Sequence, residues 1–234
     1  MKPIPVYVIN SGKLLQDTDV ASVVPALQTQ ASEHLAPRWN IDATLEFVPR
    51  GKKAPEGSWR LDILDDTDYP PDSGYHNVGR DGIPFAKVFV NTAQQYKENW
   101  TITASHELLE MLVNPYAMLA AYVPFDDNSG TVYSLEICDP VSPDENGYQI
   151  KGVSVSDFVF PEWFSPFLAN PDSGQKKSVD YCNHLLSPAP TIVAGTTISV
   201  LGWRNIQSPA ADARARSGKD VANLLDKGQN LRIA

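Results

Sequence analysis

The sequence predicts an α+β fold: a twisted mixed sheet carrying two helices, followed by an irregular second part. Three observations lead there. The first half contains short β-branched or alternating runs separated by turn-rich loops. Two segments repeat apolar residues at helical spacing. Beyond the second of these the pattern loosens into short runs broken by Pro, Gly and aromatic residues. With 234 residues, 42% of them hydrophobic and 20% charged, the chain can bury one sizeable core without disulfides. No internal repeat or low-complexity linker divides it. The expectation is a single domain over residues 1–234, with an N-terminal subdomain of about 1–115 and a C-terminal subdomain of about 116–234.

Ile4 to Asn10 is β-branched and reads as a first strand. Between about Asp19 and Ala36, Val20, Val23, Val24, Leu27, Ala31 and Leu35 recur as on one helix face. Pro25 fits this helix only in its first turn, which moves the expected start to Ser22, and Pro37 is expected to end it. Strands are then expected at Thr44 to Val48, Trp59 to Leu64 and Phe85 to Val90. The polar stretch TDYPPDSGYHNVGRDGIP between the last two reads as a long loop. The strongest helix runs near Thr101 to Val113 and is stopped by Asn114-Pro115.

Further strands are expected at Thr131 to Cys138, Tyr148 to Phe160 and Thr191 to Leu201. FPEWFSPFLANPDSG reads as a Pro-broken loop or short helix, and Ala210 to Ile233 as a surface helix.

Composition excludes several function classes. There are 19 Lys and Arg against 28 Asp and Glu, a net charge of −9, which argues against nucleic acid as a partner. No basic amphipathic stretch points to a membrane surface, and no run reaches transmembrane length. MKPIPVYVINSGK lacks the apolar core of a signal peptide, so a cytoplasmic protein is expected. The two cysteines, Cys138 and Cys182, form neither a disulfide framework nor a Cys-x-x-Cys pair and are expected to be reduced.

The chemical interest lies in SHELLEMLVNP. On a helix, His106 and Glu110 share a face and can offer an imidazole and a carboxylate to one ion. Glu107, about 100° further round, can reach a water bound to that ion. His-Glu-x-x-His motifs use this geometry, with the Glu as general base. Zinc accepts the carboxylate that stands here in place of the second His. That carboxylate also brings Mn²⁺ or Fe²⁺ within range.

A third ligand is needed. SLEICDPV offers Glu136 and Asp139 in an otherwise apolar run, where unpaired carboxylates are costly to bury. Glu136 is expected to ligate. Asp139 is expected to accept a hydrogen bond from the other nitrogen of His106, the reverse assignment being the alternative. His184 could supply a ligand or stabilise an oxyanion from the second subdomain. A core or surface histidine satisfied by its neighbours is the plainer reading. His76, in the polar stretch, could face the cleft, although a solvated loop histidine is the plainer reading. Tyr148 and Tyr181 could donate to a tetrahedral intermediate or be ordinary core residues. Cys182 and His184, two residues apart, would not face each other on a helix.

SHELLEMLVNP resembles the active-site helix of zincin metallopeptidases, and the strand-helix-strand-strand-strand-helix order resembles their N-terminal subdomain. With EICDPV and VSDFVFPEWF, it also resembles a group of bacterial and phage proteins. The zincin resemblance spans roughly residues 4 to 140. It implies a zincin-like fold, His106 as a metal ligand and Glu107 as catalytic base. Glu110 stands where a second His would be, and Glu136 where the gluzincin group has its downstream Glu. It further implies a peptide or protein substrate held by strand addition, with Phe85 to Val90 near the rim. The expected function is metal-dependent hydrolysis of a peptide or amide bond, with Zn²⁺ as cofactor. The alternative is a non-catalytic, metal-stabilised structural or interaction module of a phage or bacterial assembly.

Overall fold

The computed structural model describes residues 2–68, 72–126, 129–164, 178–185 and 197–198. The expected helix at Ala210 to Ile233 lies outside the described residues. The fold is mixed α+β. Five strands form its main sheet: β1 (Ile4–Asn10), β2 (Ala43–Val48), β3 (Trp59–Leu64), β4 (Gly74–Val78) and β5 (Pro84–Phe89). Their spatial order is β2-β1-β3-β5-β4. All neighbours run parallel except β4, which lies antiparallel to β5 at the edge. Val6, Val8, Leu61, Ile63, Ala86 and Val88 from the central strands are all buried, as strands covered by helices require.

The first helix is longer than the sequence suggests. Helix α1 (Asp17–Thr29) carries Pro25 in its interior, not in its first turn. Gln16 and Asp19 form a reciprocal capping box that fixes the start upstream of Ser22. A π-helical stretch, Gln30–Leu35, then resets the hydrogen-bond ladder. Pro37 therefore falls in the first turn of a new segment, α2 (Ala36–Trp39), where its missing N–H is not needed. The helix ends instead at Asn40, which is left-handed with φ 54°.

Val90 opens a short helix, α3 (Val90–Gln95), and does not continue β5. Helix α4 (Trp100–Val113) follows, with the Asn99 side chain accepting from the Thr101 N–H at its start. Every residue of α4 from Thr101 to Val113 is buried. One side packs on β4 and β5, the other on β9 (Val153–Val155).

The rest is built from small pieces. β6 (Ala120–Asp126) pairs antiparallel with β7 (Ser129–Ser134), and Thr197–Ile198 (β10) adds to β7. The expected strand to Cys138 stops at Ser134. Beyond it the chain bends into a 3₁₀ turn at Asp139–Val141. The expected strand over Tyr148 to Phe160 is a hairpin: β8 (Tyr148–Ile150) turns back into β9 through Lys151 and Gly152, with φ of 51° and 81°. Two successive positive φ angles make the tight turn that suits hairpin twist. Trp39 Nε1 donates to the Val159 carbonyl, and the Arg38 guanidinium lies 3.6 Å from the Phe160 ring centroid. Those contacts lock the end of the first helix onto this second layer.

Candidate metal centre

Three segments converge on one buried cage. α4 supplies His106, Glu107 and Glu110, the stretch after β7 supplies Glu136 and Asp139, and β4 supplies His76. His106, Glu107 and Glu110 are fully buried, His76 is 2% exposed, and Glu136 and Asp139 are each 5% exposed. Four carboxylates and two imidazoles thus lie together in the interior.

The sheet brings His76 there. The polar stretch between β3 and β5 contains a strand, β4, where the sequence predicts a loop, and side chains two apart on a strand face the same way. Gly74 and His76 therefore both face α4. A Cβ at Gly74 would lie 2.6 Å from Thr103 Cγ2 and 2.9 Å from Glu107 Cγ. The absence of a side chain at Gly74 is what lets α4 lie close enough for His76 to meet its carboxylates. The rim strand is accordingly β4. Phe85 to Val90 was expected there, but Pro84–Phe89 is interior, flanked by β3 and β4.

The carboxylates are held in a consistent way. Glu110 Oε1 accepts from the Cys138 N–H at 3.1 Å. Glu136 Oε1 accepts from Asn114 Nδ2 at 3.0 Å and Ser134 Oγ at 2.9 Å. Their second oxygens, Glu110 Oε2 and Glu136 Oε2, have no hydrogen-bond partner, nor do Asp139 Oδ1, either oxygen of Glu107 or either ring nitrogen of His76. Asn114, the residue that ends α4, is itself fixed by accepting from the Met118 and Leu119 N–H groups. One oxygen is clamped by the protein and the other aimed inward.

The inward atoms stand apart from one another. His106 Nε2 is 3.2 Å from Glu110 Oε2 and 3.4 Å from Asp139 Oδ1. His76 Nε2 is 3.5 Å from Glu136 Oε2, while its Nδ1 is 3.6 Å from Glu107 Oε2 and 3.8 Å from Glu110 Oε2. These separations exceed those of good charge-assisted hydrogen bonds, about 2.7–2.9 Å. Atoms about 2.0–2.2 Å from a tetrahedral ion stand roughly 3.3–3.6 Å from each other, so the cage has the spacing of a ligand set. Asp139 faces the same nitrogen of His106 as Glu110 does, not the other nitrogen, which corrects the hydrogen bond expected from the sequence. The ligand atoms form two sets that share Glu110: His106, Glu110 and Cys138, and His76, Glu110 and Glu136.

The electrostatics reflect this crowding. Burial raises the Glu136 carboxyl to about 8, with Glu110 and Asp139 adding to the effect and His76 opposing it. Glu110 is raised by burial, helped by Asp139 and Glu107 and opposed by His106. Burial pulls the His76 imidazolium down, but Glu136, Glu107 and Glu110 together outweigh it and lift the group to about 9. The cage is short of positive charge. Cys138, buried beside Glu110, has its thiol pushed well above the ordinary range and points to the His106 carbonyl.

His184 is elsewhere. Its Nδ1 lies 3.1 Å from Asp157 Oδ2 and 3.7 Å from Asp180 Oδ2, with a side chain 37% exposed. Tyr148 and Tyr181 stack on each other, and the Tyr148 hydroxyl meets His34 Nδ1 at 2.9 Å. Cys182 and Cys138 are both free thiols, and burial with Asp157 nearby raises Cys182 to about 12. Among the described residues, no helix is long and apolar enough to cross a membrane. No family model, curated protein or solved structure matches the chain.

Proposed function

We propose that the chain is a zincin-like, metal-dependent hydrolase of peptide or amide bonds, with Glu107 as its general base. The donor set fits an ion: imidazole and carboxylate oxygen at ligand spacing, in a cage where carboxylates outnumber imidazoles. His106, Glu110 and Asp139 would hold it. Zinc suits a low-coordinate site with an imidazole, and the excess of carboxylate also admits Mn²⁺ or Fe²⁺. When bound, such an ion polarises a carbonyl and makes a water easier to deprotonate.

The observation that carries the reading is the state of Glu107. Its neighbours Glu110 and Glu136 each have one oxygen clamped by the protein, whereas neither Glu107 oxygen accepts a hydrogen bond. A carboxylate held dry and uncommitted is suited to take a proton from water and hand it to a leaving amine. The substrate proposed is a peptide or protein segment. β4, the edge strand that carries His76, offers it a backbone to pair with.

The burial of the cage favours a second reading, in which the ion ties β4, α4 and the 136–139 turn together and performs no chemistry. One comparison separates the two. Glu107→Gln should keep its metal and its melting temperature but lose hydrolysis across a mixed peptide library, while His106→Ala should lose metal. A wild-type protein that is metal-loaded, folded and inactive on that library, with Glu107→Gln indistinguishable from it, would replace the hydrolase with the structural module.

A further inference from the structure

We infer that the cage holds two divalent ions, the second on His76, Glu110 and Glu136, with the inward oxygen of Glu110 shared between them. The inference rests on the metal-binding reading above and adds a site that HELLE does not contain.

Its first support is geometric. Two groups of potential ligand atoms, His106 with Glu110 and Cys138 and His76 with Glu110 and Glu136, each lie within 4.8 Å and have Glu110 in common, while Asp139 stands beside the first. One half centres on His106 Nε2, with Glu110 Oε2 and Asp139 Oδ1 at 3.2 and 3.4 Å. The other centres on His76, whose Nε2 is 3.5 Å from Glu136 Oε2 and whose Nδ1 is 3.8 Å from Glu110 Oε2. Glu110 Oε1 is committed to the Cys138 N–H, so only Oε2 can face both halves.

The second support is charge. Glu107, Glu110, Glu136 and Asp139 are four carboxylates at 0–5% exposure. Ionised, they carry a charge of about −4, and one divalent ion with neutral imidazoles leaves about −2 uncompensated in a dry interior. Two divalent ions bring the total to about zero. Both nitrogens of His76 lie at 3.5 Å or more from every cage oxygen, wider than the about 2.7–2.9 Å of a charge-assisted hydrogen bond. The third support is that His76, 2% exposed, has neither nitrogen hydrogen-bonded, although it is aimed into the cage from a different element than His106.

The test is metal stoichiometry, measured on the full chain after loading with Zn²⁺ and removal of unbound ion. The wild type should hold two equivalents by elemental analysis. His76→Ala and Glu136→Gln should each hold one, and Glu110→Gln should lose affinity at both positions. Mn²⁺ loading of the wild type gives a readout that needs no variant: two ions sharing a carboxylate oxygen produce an exchange-coupled electron paramagnetic resonance spectrum, not that of isolated ions. A wild type that binds one equivalent and shows isolated Mn²⁺ overturns the second site, whether or not His76→Ala loses that ion, and leaves the single-ion proposal standing. No bound metal at all overturns both.

Discussion

Among the described residues, two clusters combine buried carboxylates with histidine, and they treat their oxygens in opposite ways. In the outer cluster, Asp157 Oδ1 accepts from the Phe158 and Cys182 N–H groups, and Oδ2 faces His184 Nδ1. Asp180 Oδ1 accepts from the Leu185 N–H and Ser178 Oγ, and Oδ2 accepts from the His184 N–H. Every oxygen there is satisfied by the local chain, as in a turn built around its own side chains. In the cage, five carboxylate oxygens from four residues, Glu107 supplying two, find no donor. Three ligand-type residues lie close together in both places. The unsatisfied atoms therefore separate the cage from the outer cluster, since a buried acceptor without a partner is expensive unless something else arrives to fill it.

The sharpest way to break this contrast is to remove metal. Chelation of the zinc-loaded protein should lower its melting temperature by about 8–16 °C. That follows from about 4 kcal/mol of linkage at a thousandfold excess of ion over its dissociation constant, at about 2–4 °C per kcal/mol for a chain this size. Differential scanning calorimetry with and without chelator measures it, and an unchanged transition would place the cage in the same class as the outer cluster.

Loosening the cage from outside comes next. Asn114→Ala removes the donor that clamps Glu136 Oε1 and the acceptor for the Met118 and Leu119 N–H groups. Zinc affinity, read by competition with a chromogenic chelator, should fall about 10–100-fold, as for other supporting contacts. Equal affinity in the variant would mean that the position of Glu136 does not matter to the ion.

The outer cluster should answer to pH instead. Burial and then the Asp180 carboxylate raise Asp157 to about 7. Burial works against Asp180 too, but bonds from Asp157, Ser178 and the His184 and Leu185 backbone hold it below its ordinary value. An acid raised on folding binds its proton more tightly in the native state, so it costs stability as pH climbs from about 4 to about 7. Asp180 acts with the opposite sign, in a window below about 4. Asp157→Asn should therefore become progressively more stable than the wild type across pH 4–7, by a total on the order of 1–3 kcal/mol. Urea denaturation at several pH values follows this gap, and a gap that shrinks or stays constant would refute the assignment. Metal content should not change.

The smallest effect expected is Ser178→Ala, which removes one hydroxyl donor from Asp180. It should cost about 1 kcal/mol and leave metal affinity untouched. A loss of zinc in this variant would show that the two clusters are coupled.

The sequence by itself determined the elements whose patterns are local. β1, β3 and α4 could be placed to within a residue, because alternation and helical spacing repeat over enough positions to fix a face. It also determined that His106, Glu107 and Glu110 share one region of a helix, since the helix pitch decides that without reference to anything distant. Glu136 and Asp139 were visible as acids stranded in an apolar run, a signal about burial and not about geometry. Tertiary structure alone decided the rest. β4 is short and edge-placed, and it draws its regularity from pairing with β5, so Gly74, Tyr75 and His76 look like loop until the neighbouring strand is present. The one available hint was Gly74-x-His76, a strand-face spacing with a residue small enough for close helix approach. The helical stretch runs past Pro25 inside α1, and a π-helical stretch resets its ladder so that Pro37 falls in the first turn of α2, which no propensity scale anticipates. That His184 belongs to Asp157 and Asp180 while His76 belongs to the cage was likewise undecidable from the chain, because two histidines of equal chemistry are told apart only by the oxygens the fold brings within reach.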